Sequence, residues 1–174
     1  MDFLDIANTR QACRSYDPAR EIEREKLEKI LEAARLAPSA CNSQPYLITV
    51  CTGEKKELVA ETTRGVGMNG FTKDVPVILV ISEKPEKKGV LGTLVPIDSY
   101  MALDMGIVAA YITAEATTQG LSSCIIGWFD DETVRKVCGN EGRTRLVIAL
   151  GYAKEGDPIR KKVRKSLDQL VKEA

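Results

Sequence analysis

The chain has 174 residues, 44% of them hydrophobic, with 25 Lys plus Arg against 25 Asp plus Glu. That length suffices to bury the core of one domain, and the balanced charge excludes a global field that would draw the protein to nucleic acid or to an anionic membrane. Any basic site must therefore be local.

The sequence contains no histidine, which removes the usual triad base and the commonest transition-metal ligand. An enzyme without histidine points to a bound cofactor as the carrier of its chemistry. The five cysteines, Cys13, Cys41, Cys51, Cys124 and Cys138, show no C-x-x-C spacing that would clip zinc or form a redox dithiol. Their odd number and scattered positions fit a reduced, cytoplasmic setting. The segment Met1-Asp2-Phe3-Leu4-Asp5 is acidic and lacks the basic region and apolar run of a secretory signal, so export is not expected.

In chain order, Leu27, Ile30, Leu31 and Ala34 follow the spacing of a one-sided helix over about 24–36, closed by Pro38. A strand is expected over Tyr46–Cys51, ending at Thr52-Gly53, and a second, suited to the centre of a sheet, over Val75–Ile81. The loop 63–73 carries Gly65, Gly67 and Gly70, so it should be mobile or lie against something.

A second glycine- and proline-bearing stretch, about 84–97, leads to a long helix capped by Asp98, running to Gln119 and stopped by Gly120. Its apolar positions lie on more than one face, which places it in the core. Asp104 and Glu115 interrupt it, whereas a membrane span wants roughly 20 nearly uncharged residues. Strands over Ser122–Ile126 and Leu146–Leu150 flank a helix begun by Asp130-Asp131-Glu132 and ended by Gly139. A last helix over 165–173 presents Leu167, Leu170 and Val171. Helices interleaved irregularly with short strands indicate an α+β or mixed layered fold, and no repeat or linker divides the single domain 1–174.

Three local signals carry chemistry. Arg10-Gln11-Ala12-Cys13-Arg14 puts two guanidiniums four residues apart, on one face if the segment is helical, and such forks match phosphate oxygens. A solvated basic edge beside Glu21 and Glu23 is the other reading. The stretch from Ala37 to Tyr46 sets small hydroxyl and amide side chains between prolines, as recognition of a polar heteroaromatic ring would need; a polar turn has the same composition. Lys161-Lys162-Val163-Arg164-Lys165 concentrates charge in an otherwise neutral chain, as a solvated tail also would.

Taken together, R-x-x-x-R at 10–14, A-P-S-A-x-N-S-Q-P at 37–45, Gly127-Trp128-Phe129-Asp130 after a strand, and K-x-R at 162–164 resemble the nitroreductase family of FMN enzymes, over almost the whole chain. The resemblance implies an α+β three-layer fold, with a central, mainly antiparallel sheet flanked by helices, a long core helix, and an intertwined homodimer binding flavin where the subunits meet. Arg10 and Arg14 would hold the flavin phosphate and the polar rim of the ring, with Gln11 beside them. Ala12 stands where the family usually has Ser, so a backbone contact alone is expected there.

Pro38, Ser39, Ala40 and Asn42 match the loop that a neighbouring subunit supplies to the same flavin. Ile126, Gly127 and Trp128 match the segment lying against the ring, where Trp128 could stack or pack into the core. Asn69 and Lys73 are candidates from the glycine loop, and Lys162 and Arg164 match the phosphate ligands.

The resemblance further implies a ping-pong reaction, in which NADH or NADPH reduces the flavin and leaves, and an oxidised acceptor such as a nitroaromatic or quinone enters the same pocket. A cation such as Arg14 would stabilise the charge of the reduced flavin. No catalytic side chain and no metal are required. No G-x-G-x-x-G follows a strand, so the nicotinamide would stack on the flavin. The chain is short for the family, which leads us to expect an open pocket with a broad acceptor range. Cys13 and Cys41 are expected to be small buried residues, not redox groups. A non-catalytic FMN carrier or sensor, and a related flavoenzyme performing dehalogenation or ring dehydrogenation, stay open as alternatives.

Overall fold

The computed structural model describes residues 2–84 and 97–173, and only the backbone of residues 97–99. Strands β1 (Tyr46–Cys51), β2 (Val77–Glu83), β3 (Ser122–Ile126) and β4 (Thr144–Gly151) form one antiparallel sheet in the order β1-β2-β4-β3. The helices are α1 (Phe3–Thr9), α2 (Arg24–Arg35), α3 (Gly53–Thr62), α4 (Ile97–Thr118), α5 (Asp131–Cys138) and the single turn α6 (Leu167–Leu170).

The two central strands are covered on both faces, and their alternation divides the core. Val77, Leu79 and Ile81 of β2, with Ile148 and Leu150 of β4, pack against Ile30 and Ala34 of α2 and against Met105, Val108 and Ile112 of α4. Ile78 and Val80, with Val147 and Ala149, face the other way onto Val59 of α3 and Val134 of α5. Each large aliphatic side chain removed from water contributes roughly 1.5–3 kcal/mol, so this two-sided burial fixes three layers, helix on sheet on helix.

Several boundaries differ from the sequence expectation for local reasons. β2 begins at Val77 and not at Val75, because Val75 ends a 3₁₀ turn and Pro76 has no N–H for the ladder. β4 begins at Thr144 and not at Leu146, since Thr144 pairs with Ser82 across a register shift at Ile81/Ser82. The Asp130 side chain caps α5 through Glu132 N (3.1 Å) and Thr133 N (3.3 Å), and Gly139 closes it at φ 70°.

α4 starts at Ile97; the expected cap by the Asp98 side chain, and residues 85–96 of the preceding connection, lie outside the described residues. Its 22 residues make about 33 Å of helix, closed by Gly120 at φ 73°. The expected helix over 165–173 is reduced to α6. Leu167 and Leu170 are 77% and 63% exposed, and a helix this short is not stable without a surface to pack on. Among the described residues no helix is long and apolar enough to cross a membrane.

Candidate functional site

Backbone pairing places the N-terminal arginine motif. Ala12 makes a parallel bridge with Ser123, and Cys13 N–H donates to Ser123 O (2.9 Å), so this stretch lies extended along the edge of β3. It is not the helical turn that the arginine spacing suggested; the free edge of β3 offers the backbone partners that a helix would otherwise supply. Further on, Tyr16 bridges Ala153, and Lys154 N–H donates to Ser15 O (3.0 Å), which brings the chain after β4 alongside the motif.

Side chains then fasten the two segments. Gln11 Nε2 donates to Pro158 O (3.1 Å), Arg160 N–H donates to Gln11 Oε1 (2.9 Å), and Lys162 Nζ donates to Arg10 O. Between them lies a cleft of about 370 Å³ lined by residues 10–12, Arg14 and residues 160–164, with no acidic side chain among them. Arg10, Arg14, Lys162 and Arg164, predicted from opposite ends of the sequence, thus meet. The Ala12 carbonyl accepts from Arg160, a further tie between the two segments. Partial burial, then the charges of Arg10, Arg164 and Arg160, pull the Lys162 ammonium pKa down. Crowding of cations with no counter-charge is a condition that a bound dianion relieves.

The 38–44 loop contributes no residue to the lining of this cleft. Ala40–Asn42 form a 3₁₀ turn, with Cys41, Asn42 and Gln44 at φ 52°, 53° and 45°. Non-glycine residues in this region cost on the order of 1–3 kcal/mol each, so the surroundings must impose the shape. Ser39 Oγ accepts from Gln44 N (2.9 Å), and Asp104 Oδ1, from α4, accepts from Ala40 N (3.1 Å). Cys41 is exposed, contrary to the expectation of burial, because the turn sets it at an outer corner. Cys13 is buried as expected, and burial pushes its thiol pKa up, away from a reactive thiolate.

The third group follows β3. The Ile126 side chain is 3% exposed and belongs to the core, leaving only its backbone for a ligand, whereas Trp128 is 56% exposed. The core-packing alternative for Trp128 therefore fails. Its indole Nε1 would stand 3.3 Å from a Cβ added at Gly65, so it borders the glycine loop. A Cβ at Gly127 would meet nothing within 4 Å; the fold itself does not demand glycine there, and the space is open to a group from outside. Asn69 Nδ2 donates to Thr63 O (3.1 Å), which ties it into the loop, and Lys73 is exposed with its carbonyl accepting from Lys56 Nζ.

A family model described as the nitroreductase family matches residues 7–152. The chain belongs to the nitroreductase family. The matched stretch includes the arginine motif, the 38–44 loop and Gly127; Lys162 and Arg164 lie beyond it, and their place in the cleft rests on the structure. Among curated relatives, an oxygen-insensitive NADPH nitroreductase of Helicobacter pylori strain J99 is 26% identical, over 95% of this chain and 96% of its own. Among solved structures, a nitroreductase family protein from Streptococcus pneumoniae TIGR4 superposes with a TM-score of 0.86 at 23% identity, covering 99% of this chain and 100% of that one. The FMN-dependent nitroreductase NfnB from Mycobacterium smegmatis, solved with NADPH, gives 0.79 at 20% identity over 99% and 100% of the two chains. Nitroreductase-family architecture thus extends through the whole chain.

Two features of the site escaped the sequence. Arg160 enters the cleft although it precedes the basic run that drew attention. Asp104 was read only as a charge excluding a membrane span, although a carboxylate within an apolar helix is itself a signal of a buried polar role.

Proposed function

We propose that the protein is a homodimeric FMN-dependent oxidoreductase that takes electrons from NADH or NADPH and gives them to an oxidised small molecule, such as a nitroaromatic or a quinone. The cationic cleft is the observation that carries this reading. Arg10, Lys162 and Arg164 would hold the flavin phosphate, with Arg160 and Gln11 keeping the two backbone segments in register. Arg14, exposed at the cleft, is the cation for the polar rim of the ring, and the open space at Gly127 lets the ring approach the backbone. Bound there, FMN would supply two-electron transfer in two half-reactions that share one pocket. The relatives named above, one called an NADPH nitroreductase and one FMN-dependent, support the same cofactors.

The dimer is supported by what a single chain leaves uncovered. α4 turns Leu103 (63% exposed), Ile107 and Tyr111 outward, and a groove of about 870 Å³ runs between α1, α4 and Ile125. The segment after the cleft exposes Ile159, Val163, Leu167, Leu170 and Val171. Apolar surface of this extent marks an interface. A second copy would cover it and bring Pro38, Ser39, Ala40 and Asn42 to the neighbouring flavin. The cytoplasm is the compartment we assign, where free thiols persist.

The test is an anaerobic titration of protein reconstituted with FMN, following flavin absorbance as NADH or NADPH is added and then a nitroaromatic or quinone. Bleaching followed by recovery is expected. Stoichiometric FMN binding without bleaching by either nicotinamide would leave a carrier or sensor; no FMN binding would overturn the site.

A further inference from the structure

Among the described residues, the loop that would face the flavin makes one hydrogen bond to a group outside its own neighbourhood. Among the described residues, the hydrogen bonds of 39–44 are otherwise local: Asn42 N to Ser39 O, Ser43 N to Ala40 O, Gln44 N to Ser39 Oγ, and Tyr46 N to Gln44 O. The exception is Ala40 N–H, which donates to Asp104 Oδ1 at 3.1 Å.

Asp104 is 3% exposed, beside Met101, Met105 and Val108 on α4. A carboxylate in such company is costly unless it is used. Among the described residues, its second oxygen, Oδ2, is buried without a hydrogen-bond partner, and so are Ser43 Oγ and Tyr46 Oη, both on the loop or at its junction with β1. Burial and the nearby Asp104 charge both push the Tyr46 hydroxyl pKa up, which sets the phenol and the carboxylate in the same neighbourhood. An unpaired carboxylate oxygen and an unpaired phenol buried in one neighbourhood are groups that an ordered water can bridge.

We infer that Asp104 is a positioning residue: its carboxylate grips Ala40 directly, and Tyr46 through an ordered water, locking the left-handed turn that presents Ser39 and Asn42. Leu103, next in sequence to the buried Asp104, lies on the outward apolar face of α4, so the same helix that would meet the partner subunit also sets the loop offered to the partner's flavin.

This inference rests on the FMN reading, and the experiment separates the two. Full-length protein reconstituted with FMN is compared with Asp104→Leu and Asp104→Asn, measuring FMN Kd by flavin fluorescence, melting temperature, and amide hydrogen exchange at Ala40. Asn keeps the shape and one acceptor oxygen, so its FMN affinity should stay within about threefold of the parent, whereas Leu should weaken FMN by about tenfold or more. Ala40 should be protected in the parent and exchange about tenfold faster or more in the Leu variant.

If both variants merely melt earlier, with FMN affinity unchanged, Asp104 is structural and the inference fails. If the Leu variant does not fold, the parent alone decides: an Ala40 amide exchanging at the rate of an unstructured chain overturns the grip. Failure of the parent to bind FMN overturns the flavin site, while Ala40 exchange still judges the grip.

Discussion

At Lys162 the charge of the cleft becomes measurable. Its ammonium lies below the ordinary 10.5 because partial burial, then Arg10, Arg164 and Arg160, disfavour the charged form. A phosphate dianion needs that charged form. FMN affinity should therefore be highest at neutral pH and fall as pH rises through the lowered Lys162 pKa, a limb below that of a free lysine. Lys162→Met should bind FMN about tenfold more weakly at neutral pH and lose that alkaline limb, as fluorescence titrations across pH would show; a limb of equal size in the variant assigns it to another group. These cations were legible only in part. Spacing suggested that Arg10 and Arg14 share a helical face, whereas extended pairing with Ser123 aligns them, and nothing local to either arginine reveals a partner 150 residues away. Only the ordered set of motifs joined the two ends.

Elements whose stability comes from apolar burial were readable in advance, and those relying on something else were not. β2 and β4 are apolar on both faces, and α2 has a one-sided stripe. α3, by contrast, alternates charge with no such stripe and buries little beyond Lys56, Val59 and Ala60. α1 is held by reciprocal caps between Asp2 and Asp5, and those acidic residues were read only against a signal peptide. α4 was placed in the core because it is apolar all round, but the single chain buries one side only: Met105, Val108 and Ile112 point in, Leu103 and Ile107 point out. The second subunit we propose would account for that composition. Leu103→Glu with Ile107→Glu should therefore yield a monomer by sedimentation, with far-UV circular dichroism close to the parent, because the inward face is untouched. A double variant that remains dimeric would move the interface off α4.

Strand and helix patterns indicated an α+β layered fold, and the family resemblance its three layers; the complete site we propose draws on two copies. Within one chain neither the 38–44 loop nor the Gly127–Trp128 segment lines the cationic cleft, and Leu167 and Leu170 of α6 are exposed. If each flavin needs groups from both subunits, FMN binding and dimerisation are linked equilibria: flavin must strengthen the dimer by the same factor by which dimerisation strengthens flavin binding. Saturating FMN should also raise stability by RT ln(1 + [L]/Kd), about 2.7 kcal/mol at a hundred times Kd. The decisive measurement is dilution of the reconstituted protein, with flavin fluorescence and sedimentation followed on the same samples. Coincident release of FMN and appearance of monomer is expected, both moving to lower protein concentration when free FMN is added. Flavin that stays bound to a monomer would mean that Arg10, Arg14, Lys162 and Arg164 complete the site alone, and that the 38–44 loop serves the fold of its own chain.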